Sequence, residues 1–247
     1  MTSHVAPLRT IVLVRRLLGS QLVTRGRVLA VAAVGFFTAV ITGLLARSAD
    51  NSVESSRLVI DVLSNLGFVL VVPIVALVFA GATFGDLRDD YTLVYLWLRP
   101  MDRLPVVLGA YLAAVAIAVP IAALSLGVAA IAGGVSVSTL LATVVAASLG
   151  VLAYAALFVL LGLVIRNSIV WGLAYILVWE GLLTGLFSAV ARTSILGYVR
   201  AVLANLADVR VGGALDVTTP VALGVLLVGA AAVLAIATYR LDRMEID

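Results

Sequence analysis

The sequence predicts an all-α polytopic membrane protein, a single transmembrane domain over residues 1–247 with six spans preceded by an interfacial amphipathic helix. Three observations carry that expectation. Hydrophobic residues make up 64% of the chain and charged residues 12%, against about 25% charged in soluble domains. Mean hydropathy is +1.23. Uncharged apolar runs of 19 residues or more recur along the chain, and about 20 such residues form a helix that crosses a bilayer core about 30 Å thick.

The elements follow in order. Residues 5–25 open the segment "VAPLRTIVLVRRLLGSQLVTRGR", which mixes leucine and valine with five arginines. On a wheel of about 100° per residue Arg9 and Arg16 fall within about 20° of each other, while Arg15 lands near Leu8. That moment is imperfect, yet it suits a helix lying in the membrane interface with arginines reaching anionic head groups; a frayed leader carrying topology-setting arginines is the plainer alternative. The first span covers about residues 28–46. Its 19 uncharged residues exceed the roughly 7–15 of a signal-peptide core, so "LLARSA" at Leu44–Ala49 is expected to stay uncleaved. A polar, solvated loop is expected over Arg47–Asp61. The second span covers about 62–85.

Leu104 to Ile165 contains 62 residues without a charge, at about 1.5 Å per residue far too long for one crossing. The chain is expected to fold back at "AGGVSVS", Ala132–Ser138, where Gly133 and Gly134 weaken the helix. This divides the run into spans at about 104–131 and 139–165. A fifth span is expected at about 168–191 and a sixth at about 217–239, with Pro73 and Pro120 breaking spans two and three. The intervening segment 192–216 is too apolar for a flexible linker and is expected to form short helices at the outer surface.

Six spans place both termini on one side. With that side inside, eleven arginines are internal (Arg9, Arg15, Arg16, Arg25, Arg27, Arg88, Arg99, Arg103, Arg166, Arg240 and Arg243) and five external (Arg47, Arg57, Arg192, Arg200 and Arg210). Basic residues concentrate on the cytoplasmic side of membrane proteins, so both termini are expected there. The same distribution accounts for a pI near 9.6 without nucleic acid as a partner.

Composition also excludes chemistry. There is no cysteine and one histidine, His4, so no disulfide, thiol nucleophile or zinc cluster can be built, and no metal or catalytic residue is expected. All sixteen basic residues are arginine. A chain without lysine has no phosphate-cradling P-loop lysine and cannot form a Schiff base. It is not expected to be an enzyme on its own account.

The segment "GDLRDDYTLVYLWLRPMDR", Gly85–Arg103, carries seven charges between two uncharged runs. Asp86, Arg88, Asp89 and Asp90 make its polar start. Tyr91, Thr92, Leu93, Leu96, Trp97 and Arg99 then form an aromatic and aliphatic stretch that Pro100 stops. Leu93, Leu96 and Trp97 share one helical face, which predicts a short amphipathic helix along the membrane. Asp102 can cap the third span, and Pro105 fits its first turn.

This segment resembles the signature of type-2 ATP-binding-cassette transporter permeases, the six-span subunits of bacterial exporters. There an acidic stretch, a threonine, a leucine-rich helix, a proline and a basic residue lead into the third span; Asp89, Asp90, Thr92, Leu93, Leu96, Pro100 and Arg103 match that order. Tyr91 stands where a glycine is common, and Ala110 and Tyr111 replace a lysine often found after Gly109. "VWEGLL" at Val178–Leu183 is also similar to the family. The resemblance implies that residues 86–103 form a cytoplasmic coupling helix between spans two and three. It implies a separate cytoplasmic ATPase, two copies per complex, holding the ATP and Mg, with no cofactor bound by this chain. It also implies a second permease copy or a related permease, a bacterial plasma-membrane location, and an external gate between spans five and six. The aliphatic spans favour an amphipathic or lipid-like cargo.

Glu180 is the one acid inside a span, near mid-membrane. Intramembrane acids are costly and face a cavity or a partner. Glu180 therefore either lines a translocation path or pairing interface, or fixes packing through a hydrogen bond. It would also be the ion or proton site of a secondary transporter or channel, the alternative to the permease reading; a non-transporting scaffold is the third. "GATFG" at Gly81–Gly85 and "GLLTG" at Gly181–Gly185 are small-xxx-small patterns that permit close helix packing without naming a dimer seam.

Overall fold

A computed structural model describes residues 7–89, 103–184 and 188–243. Among these residues the chain is helical, without strands. The helices are α1 (Pro7–Leu22), α2 (Arg25–Ser48), α3 (residues 52–89), α4 (Arg103–Ala132), α5 (Val137–Val164), α6 (Ser168–Leu183), α7 (Ser188–Ala191), α8 (Ile195–Ala207) and α9 (Thr219–Arg243). Five are long and apolar enough to cross a membrane: α2, α3 over Ser52–Gly85, α4, α5 and α9. The chain thus has the build of a multispan membrane protein. The expected fifth span, about 168–191, is described as helix at α6 and α7, and residues 185–187 between them lie outside the described residues.

Helix α1 buries Val14, Leu18 and Leu22, four residues apart, against α4. The approach is close: a Cβ on Gly109 would lie 2.8 Å from the Val14 side chain. Helix α2, capped by the Thr24 hydroxyl, presents Val31, Gly35, Thr38, Ala39 and Thr42 inward. Phe36 and Phe37 on its other side are 71% and 65% exposed, a surface suited to lipid. The buried hydroxyls of Thr38 and Thr42 donate to the carbonyls of Val34 and Thr38, so no partner from another helix is needed.

The stretch expected to be a solvated loop is mostly helix. Asn51 Oδ1 accepts the Glu54 N–H at 2.9 Å, and Glu54 Oε2 accepts the Asp50 N–H at 3.2 Å. This reciprocal cap starts α3 at Ser52, ten residues before the expected second span. Helix α3 then passes twice into π winding and back. It is α-helical at Ser52–Val62, π-helical at Leu63–Val71, α-helical at Val72–Ala76, π-helical at Leu77–Gly81 and α-helical at Ala82–Asp89. The Val72 N–H reaches back five residues to the Gly67 carbonyl. Pro73, which lacks an N–H and crowds the carbonyl four residues back, sits where the wider winding ends.

Pro120 lies inside α4 without ending it, contrary to the expected break; it and Ala116, the residue four back whose carbonyl it leaves unpaired, are both exposed on the outer side of the helix. The turn after α4 is where the glycines place it. Gly134 has φ +65° and the Ser136 hydroxyl accepts the Thr139 N–H to start α5. Alanine dominates the inward faces of α4 and α5, so the helices lie close, and Tyr154 and Phe158 fill the centre. At Gly162 the approach is backbone to backbone: a Cβ there would lie 2.6 Å from the Gly81 carbonyl oxygen. The glycines of "GATFG" thus serve packing inside the chain, with Ser168 Oγ also donating to Gly81 O at 3.4 Å.

The bundle has two ends. Helix α1, Asp89, Arg103 and the end of α9 gather at one, the proximal end, where Arg103 Nε lies 3.8 Å from Asp242 Oδ1. The α2–α3 and α4–α5 turns meet at the other, the distal end, where Gly133 packs under Val59 and Thr42. Helix α8 packs between the ends, on the middle of α5 and α3: a Cβ on Gly150 would lie 2.9 Å from Val72 and 3.2 Å from Val199.

Candidate functional site

The residues singled out for partner docking divide between described and undescribed parts of the chain. Asp86, Arg88 and Asp89 lie on the last turns of α3, and Arg103 opens α4. Asp90, Tyr91, Thr92, Leu93, Leu96, Trp97, Arg99, Pro100 and Asp102 lie outside the described residues. The described polar site is built around Glu180.

Helix α6 starts after Asn167, which turns the chain with φ 59°. It is α-helical at Ser168–Ala174 and π-helical at Tyr175–Leu183. That winding matters for Glu180. In an α-helix residues five apart differ by about 140° around the axis, whereas i→i+5 bonding brings them to one side. Tyr175 and Glu180 are five apart, and the Tyr175 hydroxyl donates to Glu180 Oε1 at 2.9 Å.

Two more donors come from the start of α8. The Ser194 hydroxyl donates to Glu180 Oε2, and the Ile195 N–H donates to Oε1 at 3.1 Å. Ser194 is also the N-cap of α8, its Oγ accepting the Gly197 N–H at 3.2 Å. A carboxylate thus sits on the N-terminus of a 13-residue helix, where unpaired N–H groups and the helix dipole favour negative charge. Glu180 is only 1% exposed. Its bonds join α6 to the start of α8. Thr184 adds a bond from its hydroxyl to the Glu180 carbonyl at 2.6 Å.

Arg200 stands one and a half turns further along α8. Its Nη2 donates to the Ser64 carbonyl at 3.1 Å and to Asn65 Oδ1 at 2.8 Å, both on the first π-helical stretch of α3. Burial lowers the Arg200 pKa from its ordinary value, opposed by the Tyr154 hydroxyl and the Glu180 carboxylate. Helix α8 is therefore pinned at its start to α6 and at its middle to α3. A cavity of about 370 Å³ lies between these elements. A second, of about 270 Å³ and mostly apolar, lies on the other side of Ser194 against α5 and α9.

Sequence reasoning found Glu180 but not Tyr175, Ser194, Arg200 or Asn65. Asn65 was visible as the amide in an otherwise apolar stretch, and Arg200 as the charge within "ILGYVRAVLANLA". Their meeting was not, since 135 positions separate them. Among the described residues, no cluster of three or more histidine or acidic side chains could hold a metal ion.

Compared with protein-family models the chain has no match, and compared with curated proteins it has none either.

Proposed function

We propose that this chain is the membrane-embedded permease subunit of an ATP-driven transporter of the type-2 ATP-binding-cassette class, exporting an amphipathic or lipid-like substrate. The observation that carries the reading is the charged, aromatic segment Gly85–Arg103 between two uncharged helices. Its ends fall at the proximal end of the bundle, which also holds α1 and the end of α9. In this reading that end is cytoplasmic, both termini lie there, and α6 with the residues after it completes a sixth crossing.

A separate ATPase, holding ATP and Mg, would dock on residues 86–103. Movement of that segment would act on α3 and α4 together, because both begin or end within it. Helix α1, seated on α4 at Gly109, would follow, and the packed helices would shift as rigid rods between two arrangements. Two permease chains with two ATPases would make the complex, in a bacterial plasma membrane. The pinning of α8 by Glu180 and Arg200 suits an external gate between spans five and six, since α8 moves only if those bonds open.

Co-purification tests this. The tagged chain is isolated in detergent with ATPases encoded beside it, and compared with a variant carrying Tyr91→Ala, Leu96→Ala and Arg99→Ala. An ATPase retained by the parent chain and lost by the variant supports the coupling role. A well-folded parent chain that retains none would overturn it in favour of a carrier working through Glu180.

A further inference from the structure

Helix α8 begins halfway along α6, where Ser194 and Ile195 bond Glu180. It ends beside the entry to α9, where Asn205 Nδ2 donates to the Val217 carbonyl at 2.8 Å. That entry is distal, because the last turn of α9 meets Arg103 at the proximal end. Helix α8 therefore climbs from the middle of the bundle to its distal end, and the turn that precedes it, Arg192–Ser194, lies at mid-depth. The Tyr198 hydroxyl holds this turn by donating to the Arg192 carbonyl at 2.9 Å.

The cavity of about 270 Å³ opens at the same depth. Arg192 and Ser194 line it from the turn, Leu157 from α5, Tyr175 from α6, and Gly229 and Val233 from the middle of α9. Glu180, behind Ser194, is not part of its wall. Arg192 is exposed, and among the described residues its guanidinium has neither an ion pair nor a hydrogen bond. An arginine at mid-membrane is costly unless it meets a counter-charge or reaches water. Each surface of a core about 30 Å thick is about 15 Å from its centre, beyond an arginine side chain. A phospholipid resident in the bilayer does not supply the counter-charge, since its phosphate stays in the interfacial region. A molecule being carried across brings its head group to that depth.

We propose that this cavity is a halfway station for the cargo, holding part of the alkyl chain of an anionic amphiphile whose phosphate, sulfate or carboxylate pairs with Arg192. The proposal rests on the permease reading and narrows its amphipathic cargo to an anionic one. At about 270 Å³ the cavity is smaller than sites for whole ligands, about 300–1,000 Å³. It takes the chain next to the head group and leaves the rest to the lipid beside α9, where Val221 and Val228 are exposed.

Photolabelling tests this. Two probes share one diazirine-bearing alkyl chain, the first ending in a phosphate and the second in a hydroxyl. Each is irradiated with the purified full chain in dodecyl maltoside, and the labelled residues are mapped by peptide mass spectrometry. The phosphate probe should label α9 around Val225 to Val233 about tenfold more than the hydroxyl probe, the size of one charge-assisted contact. Arg192→Gln should abolish the difference, and Arg192→Lys, which keeps the charge, should retain most of it. Gly229→Leu should reduce labelling by both probes: a Cβ on Gly229 meets nothing within 4 Å, so the added side chain fills the cavity without displacing a helix. Excess phosphatidylglycerol should leave the labelling unchanged. Equal labelling by the two probes in the parent chain overturns the proposal, as does an Arg192→Gln protein with the parent's preference. Displacement by phosphatidylglycerol overturns it in favour of a bilayer-lipid site. Labelling needs no ATPase, so the two readings fail separately. Equal labelling of a chain that retains an ATPase removes the station and leaves the permease; preferential labelling of a chain that retains none overturns the permease and gives the anionic cargo to a carrier.

Discussion

If Ser194 is the joint between α6 and α8, removing it should cost more than its size suggests, and the cost should depend on Glu180. Ser194→Ala deletes two interactions at once, the bond to Glu180 Oε2 and the cap on the Gly197 N–H. A lost N-cap costs about 1 kcal/mol. A lost bond to a carboxylate costs about 1.5–3 kcal/mol in soluble proteins, and side-chain bonds between membrane helices average nearer 0.6. The single substitution is therefore expected to destabilise by about 2–3 kcal/mol. Glu180→Gln keeps one acceptor oxygen for Tyr175 and Ile195 but turns an amide toward Ser194, at about 1–2 kcal/mol. In that background Ser194→Ala should cost little beyond the cap, leaving a coupling of about 1–2 kcal/mol. Reversible unfolding of the four proteins in mixed dodecyl maltoside and dodecyl sulfate micelles, followed by helicity, measures it. Costs that add within about 0.5 kcal/mol would refute the joint.

Other substitutions separate space from conformation. Gly162→Ala places a methyl 2.6 Å from a backbone carbonyl that cannot move aside, so α3 and α5 must part, at about 1–3 kcal/mol in the same assay. Gly134→Ala meets nothing within 4 Å but keeps φ +65°; it should cost about 1–2 kcal/mol, and Gly134→Asn less, by thermal unfolding. Gly109→Leu should unseat α1 from α4, seen as faster trypsin cleavage at Arg15 and Arg16 with circular dichroism nearly unchanged. Gly213→Val should push Arg200 off Ser64 and Asn65 and lower the unfolding temperature, whereas Gly212→Val, with open space, should not.

Much of the architecture was legible because the membrane imposes it. The lengths of the uncharged runs located four of the five long helices closely, and Gly133–Gly134 located the turn between α4 and α5. The start of α3 was legible too, in Asn51 and Glu54 three apart, but the polar composition of the stretch masked the capping pattern. At the site, Glu180 stood out by its cost in a span. Its donors did not: one depends on π winding, which no hydrophobic period announces, and two come from a segment 14 and 15 residues away. Arg200 was assigned to topology, and its bonds to α3 depend on tertiary packing that spacing cannot supply.

The mixed winding of α3 bears on how the two ends of the bundle communicate. A uniform helix conveys push and tilt. A helix with π-helical stretches also holds a reserve of twist, because exchanging π for α winding at Leu63–Val71 changes the turn per residue and so rotates everything beyond it. Asn65, within that stretch, grips Arg200 on α8, and Ala82–Asp89 emerges at the proximal end. Torque applied at Asp89 would therefore be felt at Arg200 as a rotation of its anchor as well as a change in the length of the rod.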